Sequence, residues 1–302
     1  MKLCDLLRDV EILESHAPGE LEIADIAYDS RKVSVGSAFV AIRGFESDGH
    51  KYIPQAAEKG AACVICEEKP AVDMPYVIVH DSRLALAIAS KNFFGDPGGE
   101  MVMLGVTGTN GKTTTTYLVK HLLEQKLGAT VGLIGTNGNM IGSEFLPTER
   151  TTPESYELQK LLREMADAGC THVIMEVSSH SLVLHRVAGL HFAVGIFTNL
   201  TQDHLDFHKT MAEYARAKSL LFGMCDAAVI NLDDEWSAFM LEHCPCRALT
   251  FSEREGADLT AQSIALTSSG VAFTAAYGGE SESVKLGIPG LFSVYNALGV
   301  IG

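Results

Sequence analysis

The residues with the plainest chemical meaning form one run, Gly105-Val106-Thr107-Gly108-Thr109-Asn110-Gly111-Lys112-Thr113. Glycines let backbone N–H groups wrap around an anion, and a helix starting at the end of the run aims its own free N–H groups the same way. Lys112 adds a mobile positive charge, and the hydroxyl of Thr113 or Thr114 is placed to reach a magnesium ion. The strict G-x-x-x-x-G-K-[ST] pattern wants glycine where Val106 stands, so Gly108, Thr109, Asn110, Gly111, Lys112, Thr113 and Thr114 read as a variant phosphate loop. A nucleoside triphosphate brings magnesium, which takes hard oxygen ligands. Glu176 lies at the end of an otherwise apolar run where an unpaired carboxylate is costly, and it is predicted to be such a ligand.

His204 and His208 have the i, i+4 spacing of a helical metal pair. Their stretch follows a strand exit and precedes a separately capped helix, which favours one functional histidine, His204, and one structural one. Ser178-Ser179-His180 puts serine beside histidine, but no Gly-x-Ser-x-Gly elbow accompanies it, so a serine hydrolase is disfavoured. The seven cysteines are scattered. Cys63 and Cys66 sit in an apolar strand and read as core thiols, while Cys244-Pro245-Cys246 is too tight for an easy shared site. Lys218, judged by its helix alone, is a surface lysine.

These groups need a scaffold that brings them to one edge. Residues 101–106, 131–134, 171–177, 192–199 and 227–231 read as strands, separated by helices over 113–127, from Pro153 to Ala168, and from a Thr210 to Glu213 capping box to Gly223. Such alternation predicts an α/β fold, a parallel sheet with helices on both faces, whose ligands bind at the carboxyl ends of the strands. Four strand exits, 107–112, 176–180, 198–204 and 231–233, carry clustered polar residues. Ahead of this region, strands over 21–28, 38–42, 62–66 and 76–79 alternate with helices over 54–59 and 82–94, the latter capped by Asp81 or Ser82. The Gly95-Asp96-Pro97-Gly98-Gly99 cluster predicts a domain boundary, giving domains over 1–97 and 98–302.

With 302 residues the chain is long for one core. Its formal charge of −15 argues against nucleic acid or an anionic membrane surface as partner. No uncharged apolar stretch approaches the roughly 20 residues that span a bilayer, and the acidic start lacks a signal-peptide core, so a cytoplasmic location is expected.

Taken in order, the segments Thr107 to Thr113, Thr151-Thr152-Pro153-Glu154, Glu176-Val177-Ser178-Ser179-His180, Thr198 to Asp206, Ala217-Lys218 and Tyr295-Asn296-Ala297 resemble the bacterial Mur ligases. Asp29-Ser30-Arg31-Lys32-Val33 and Ser47-Asp48-Gly49-His50 look like that family's uridine-binding domain. The resemblance implies an N-terminal mixed α/β domain for a uridine nucleotide, followed by a phosphate-loop ATPase domain. It implies an ATP-dependent ligase of peptidoglycan and cell-wall synthesis, adding L-lysine or meso-diaminopimelate to UDP-N-acetylmuramoyl-L-alanyl-D-glutamate through an acyl phosphate. By motif, Lys112 would hold the ATP phosphates, Thr113 and Glu176 one magnesium, and His204 a second. Lys218 would be a carbamylated, metal-binding lysine, and Asn296 would contact adenine. Ser30 would contact uridine, and Thr151, Thr152, Ser178 and Arg186 would line the diphosphate and peptide path. The family continues beyond the Tyr295 motif into an amino-acid-binding domain that these residues do not contain. A monomeric, truncated chain with feeble or no ligation of its own is therefore expected. The alternatives are a nucleotide-binding fragment without ligase activity or a sibling ligase of the same family.

Overall fold

The computed structural model describes residues 1–44 and 47–302. The chain divides into two compact units. The first gathers Met1–Pro97 with the returning segments Pro153–Glu164 and Leu184–Gly189, and the second holds Gly98–Thr152, Met165–Val183 and Leu190–Gly302.

The first unit contains α1 (Leu3–Leu6), β1 (Ile12–Ser15), β2 (Asp25–Ala27), β3 (Ser37–Val40), α2 (Ile53–Glu58), β4 (Cys63–Cys66), β5 (Tyr76–Val79) and α3 (Ser82–Phe93). Its sheet runs β1-β5-β4-β3-β2, parallel except where β1 meets β5. Along β4, Cys63 and Ile65 join one apolar cluster and Val64 and Cys66 the other, so both faces of the strand are covered. The two thiols thus point to opposite layers, as core residues, and burial pushes them up to about 12 and about 11. Asp81 is the cap of α3, its carboxylate accepting from the N–H groups of Arg83 and Leu84. The strand expected over 21–28 shrinks to β2, because its first half is tied to the N-terminus, where the Ile23 N–H donates to the Met1 carbonyl.

The second unit follows with β6 (Val102–Thr107), α4 (Lys112–Leu127), β7 (Val131–Gly135), β8 (Gly138–Ile141), β9 (Glu144–Leu146), α5 (Ser155–Asp167, whose first ten residues belong to the first unit), β10 (His172–Glu176), α6 (Ser179–Val183) and β11 (Phe192–Phe197). It continues with α7 (Leu205–His208), α8 (Met211–Ser219), β12 (Cys225–Asn231), α9 (Ser237–Glu242), β13 (Arg247–Ser252), β14 (Leu259–Thr267), β15 (Gly270–Tyr277), β16 (Glu280–Leu286) and α10 (Phe292–Ile301). The strand order is β16-β15-β14-β13-β12-β11-β6-β10-β7-β8-β9.

The centre of this sheet, β14 to β7, is parallel, whereas β8 and β9 at one edge and β15 and β16 at the other pair antiparallel. The expected parallel sheet is therefore mixed. The edges escape the alternation rule because tight turns, not helices, connect them, so their strands need no crossover. In β12, Val229 packs into one cluster with α4 and α10, while Ala228 and Ile230 pack into another with α8 and α9. Both faces of the sheet are thus covered by helices, and the strand reads as a continuous apolar run. Pro153 lies two residues ahead of α5 rather than at its first position, and Gly223 falls inside a 3-10 turn, Leu220–Met224, beyond the end of α8. Gly128 adopts the left-handed C-cap of α4 with φ 62°.

Candidate nucleotide and metal site

β6 is the pivot of the sheet. The chain leaves it for β7 on one side, returns through β10, and crosses to β11 on the other, so the carboxyl end of β6 opens at a reversal of strand order. Register aligns Glu176 with Val106 and Phe197 with Thr107. The phosphate loop, Glu176 and the loop after β11 therefore emerge side by side.

The loop itself is built on two glycines at which any side chain would be strained. Gly108 has φ 148°, and a Cβ there would lie 1.9 Å from Thr198 Oγ1; Gly111, at φ 87°, caps α4, and a Cβ would lie 2.5 Å from Asn296 Oδ1. The loop is pinned from outside. Asn199 accepts from the Asn110 N–H at 2.9 Å and donates to its carbonyl at 3.0 Å, while Thr198 Oγ1 donates to the same carbonyl at 2.7 Å. A cavity of about 430 Å³ opens beside it, lined by Asn110, Gly111, Thr114, Asn231, Tyr295 and Asn296 among others. That volume suits a nucleoside.

Two lysines converge on one acceptor. Lys112 Nζ donates to the carbonyls of Gly108 and Thr109 at 2.9 and 3.0 Å, and Lys218 Nζ donates to Gly108 at 2.8 Å. Lys218 is 1% exposed, not on the surface where its helix alone would put it, and its ammonium stands 4.6 Å over the ring of Tyr214. Burial holds Lys112 below the usual lysine range, and burial together with the Lys112 charge pushes Lys218 well below it. Two lysine nitrogens on one carbonyl are donors that the oxygens of an anion could take over from it.

Glu176, also 1% exposed, accepts from Thr113 Oγ1 at 2.8 Å and from the Thr136 N–H and hydroxyl, both at 3.0 Å. Gly135 leaves room for this carboxylate, since a Cβ there would lie 2.5 Å from its oxygen. A hydroxyl and a carboxylate adjoining the cradle are a hard-oxygen pair of the kind that would hold magnesium. Among the described residues no three His, Cys, Asp or Glu side chains converge as a ready-made metal centre. Gln at position 176 keeps an acceptor for two of the three donors. Glu176→Gln is therefore expected to change urea stability by less than about 1 kcal/mol while lowering magnesium-dependent nucleotide affinity about tenfold, read by titration with and without the ion.

His204 caps α7 in the left-handed conformation, φ 51°, half exposed, and packs edge-on against His180 at 4.9 Å. His208 is the structural partner: it is 4% exposed, its Nε2 is 2.8 Å from Ser179 Oγ, and its ring stacks on Tyr214 at 4.9 Å. Burial, with His180, Lys218 and His204 nearby, pushes its imidazole down to about 4. Below the ordinary value of about 6.5 the unfolded ring takes a proton that the folded ring refuses. This contribution is thus complete above that pH and is lost as pH falls toward 4, by up to about 3 kcal/mol. Denaturant midpoints at pH 7 and 4.5 should differ less in His208→Gln than in the parent chain.

Thr152 Oγ1 donates to the Glu176 carbonyl at 2.9 Å and accepts from the Ser178 N–H at 3.2 Å, and Thr151 Oγ1 lies 2.9 Å from Thr136 Oγ1. In the first unit, Ser30 Oγ donates to Gln55 Oε1 at 2.8 Å, and Arg186 pairs with Glu154 at 2.7 Å. Sequence reasoning missed Thr136, Asn199, Asn231 and Tyr214. Tyr214 Oη meets Thr109 Oγ1 at 3.3 Å while its ring carries Lys218, and Asn231 donates to the Thr198 carbonyl at 2.8 Å. The two asparagines sit at strand exits already singled out. Nothing in the spacing distinguishes Thr136 or Tyr214.

Residues 106–302 match the model of the Mur ligase middle domain, and residues 22–106 match that of the Mur ligase family catalytic domain. The chain belongs to the Mur ligase family. Similar Mur ligases include the UDP-N-acetylmuramoyl-L-alanyl-D-glutamate–2,6-diaminopimelate ligase of Clostridium botulinum (strain ATCC 19397 / Type A), 47% identical over 93% of this chain and 59% of the relative. The ligase of the same name from Clostridium tetani (strain Massachusetts / E88) is 44% identical over 100% of this chain and 63% of the relative. A solved structure of a ligase of that name superposes with TM-score 0.88 at 28% identity, covering 100% of this chain and 62% of the other. The chain thus spans about three-fifths of the length of the Mur ligases it matches. No described helix is long and apolar enough to cross a membrane.

Proposed function

We propose that this chain carries the nucleotide sites of an ATP-dependent amide ligase that extends UDP-N-acetylmuramoyl-L-alanyl-D-glutamate by a diamino acid, in the cytoplasm and as a monomer. The observation that carries this reading is the pair of buried lysines converging on Gly108 beside the Thr113–Glu176 pair. Residues 1–97 form the uridine-nucleotide domain, with Ser30 at uridine, and residues 98–302 form the ATP domain, with Asn296 at adenine. Thr151, Thr152, Ser178 and Arg186 line the sugar diphosphate and peptide. Relatives named for 2,6-diaminopimelate favour that amine over lysine.

The chemistry asks for little covalent help from the protein. A carboxylate oxygen is a poor leaving group, and phosphorylating the substrate carboxylate with ATP makes an acyl phosphate that an amine can attack. Lys112 and the loop amides would hold the phosphates in line; Thr113 and Glu176 would hold one magnesium ion and His204 would help hold a second, and the charge they supply when bound would offset the negative charge crowding on the phosphates. Lys218 suits carbamylation, which would take it out of the pair on Gly108 and leave Lys112 as the phosphate-binding cation: its depressed basicity favours the neutral amine, which would add to carbon dioxide and release a proton to leave an anionic metal ligand.

Calorimetric titration with a non-hydrolysable ATP analogue plus magnesium, and separately with the UDP-sugar dipeptide, tests the reading. Binding of both, followed by ADP release that depends on the dipeptide and on diaminopimelate or lysine, is the outcome expected of the full-length ligase. A chain that binds the analogue but ignores the dipeptide would instead be a nucleotide-binding module, and one that binds neither would end the proposal.

A further inference from the structure

Cys244-Pro245-Cys246 joins α9 to β13. Spacing alone made this pair too tight to share chemistry, yet the structure sets Cys244 Sγ 3.5 Å from Cys246 Sγ and 3.6 Å from the Cys246 carbonyl oxygen. Both thiols are half-buried. Pro245 restricts the backbone between them, so the two sulfurs are held face to face rather than meeting by chance. This is the reverse of Cys63 and Cys66, whose spacing looks more suggestive and whose side chains lie in opposite layers.

We propose that Cys244 and Cys246 are a reversible oxidation site, converted to an intramolecular disulfide by a small-molecule disulfide of the glutathione class. One cysteine thiolate attacks a sulfur of the oxidised glutathione. That S–S bond breaks, and one glutathione leaves as a thiolate that takes up the released proton. The second cysteine then attacks the protein sulfur of the mixed disulfide, and the second glutathione leaves in the same way. Two protein thiols lose two electrons and two protons, and one disulfide becomes two thiols. The second step is favoured because its nucleophile is already in contact, and the sulfurs need close only by about 1.5 Å to reach bonding distance. A bridge across a single intervening residue is strained, which makes it readily reducible. Burial and the contact with Cys246 push the Cys244 thiol up to about 11, so exchange is expected to be slow at neutral pH and faster in mild alkali.

The test uses the folded chain incubated with oxidised glutathione at mildly alkaline pH, capped with N-ethylmaleimide, and cut after Glu242 and Arg247. This isolates the peptide 243–247 from Cys225. The expected peptide lacks two hydrogens, carries neither glutathione nor maleimide, and regains both thiols with dithiothreitol, while exposed Cys4 carries glutathione as an internal positive control. Cys246→Ser should trap glutathione on Cys244, and Cys225→Ser should leave the bridge unchanged. Glutathione or maleimide on both Cys244 and Cys246, or a bridge from either to Cys225, would overturn the assignment.

Discussion

Lys112→Met is expected to weaken magnesium–ATP binding about a hundredfold while leaving the thermal midpoint of the free chain unchanged or slightly higher. The first effect follows from removing a charge-assisted contact to phosphate in a buried cradle, where such contacts are worth about 2–3 kcal/mol. The second follows from the resting arrangement, in which Lys112 and Lys218 donate to the same Gly108 carbonyl and Lys112 depresses the basicity of its neighbour. Methionine keeps the length and apolar stem and removes the repulsion; Lys218 still satisfies Gly108, and the loss of the bond to the Thr109 carbonyl offsets part of that gain. Calorimetric nucleotide titration and differential scanning calorimetry on the same preparation separate the two. Loss of affinity accompanied by a large loss of stability would mean that Lys112 is a structural cation, and the anion-site reading of the cradle would fail.

Gly108→Ala is expected to destabilise the chain by about 3 kcal/mol or more and to abolish nucleotide binding. The new methyl carbon would sit 1.9 Å from Thr198 Oγ1 and 3.0 Å from the Asn199 carbonyl, at a φ of 148° that side chains avoid. Thr198 can retreat only by giving up its hydrogen bond to Asn110, and the backbone of Asn199 cannot retreat without disturbing its grip on the loop. Gly95→Ala supplies the contrast. Its φ of 75° is also positive, but open space surrounds it, so the expected cost is about 1 kcal/mol with nucleotide affinity unchanged. Equal costs at the two sites would show that conformation alone, and not the close approach of the loop to the β11 exit, sets the requirement for glycine.

The alternation of apolar runs with capped helices was enough to place the phosphate loop, Glu176 and the 198–204 segment at neighbouring strand ends, because period and capping are local properties. The antiparallel edges were not legible. Strands β8 and β9, and β15 and β16, are joined by short turns, and β9 and β16 are mostly exposed, so they lack the long apolar runs that marked the central strands. Lys218 was the hardest residue to read. Nothing along α8 distinguishes it from a solvated lysine, and its burial arises from the packing of that helix against the loop 110 residues earlier, with the ring of Tyr214, one turn back on the same helix, beneath its ammonium.

Residue types and spacing by themselves determined the chemistry available here: a glycine-rich anion cradle with one lysine, a carboxylate at a strand end, and histidines that pointed to one working and one buried ring. The tertiary structure alone decided which groups meet. It set the second lysine on the same carbonyl, gave Glu176 its three donors through Thr113 and Thr136, and brought Cys244 against Cys246 while parting Cys63 from Cys66. Sequence periodicity constrains which face a side chain takes within its own element. Distances between elements come from sheet register and helix packing, which are properties of the whole fold.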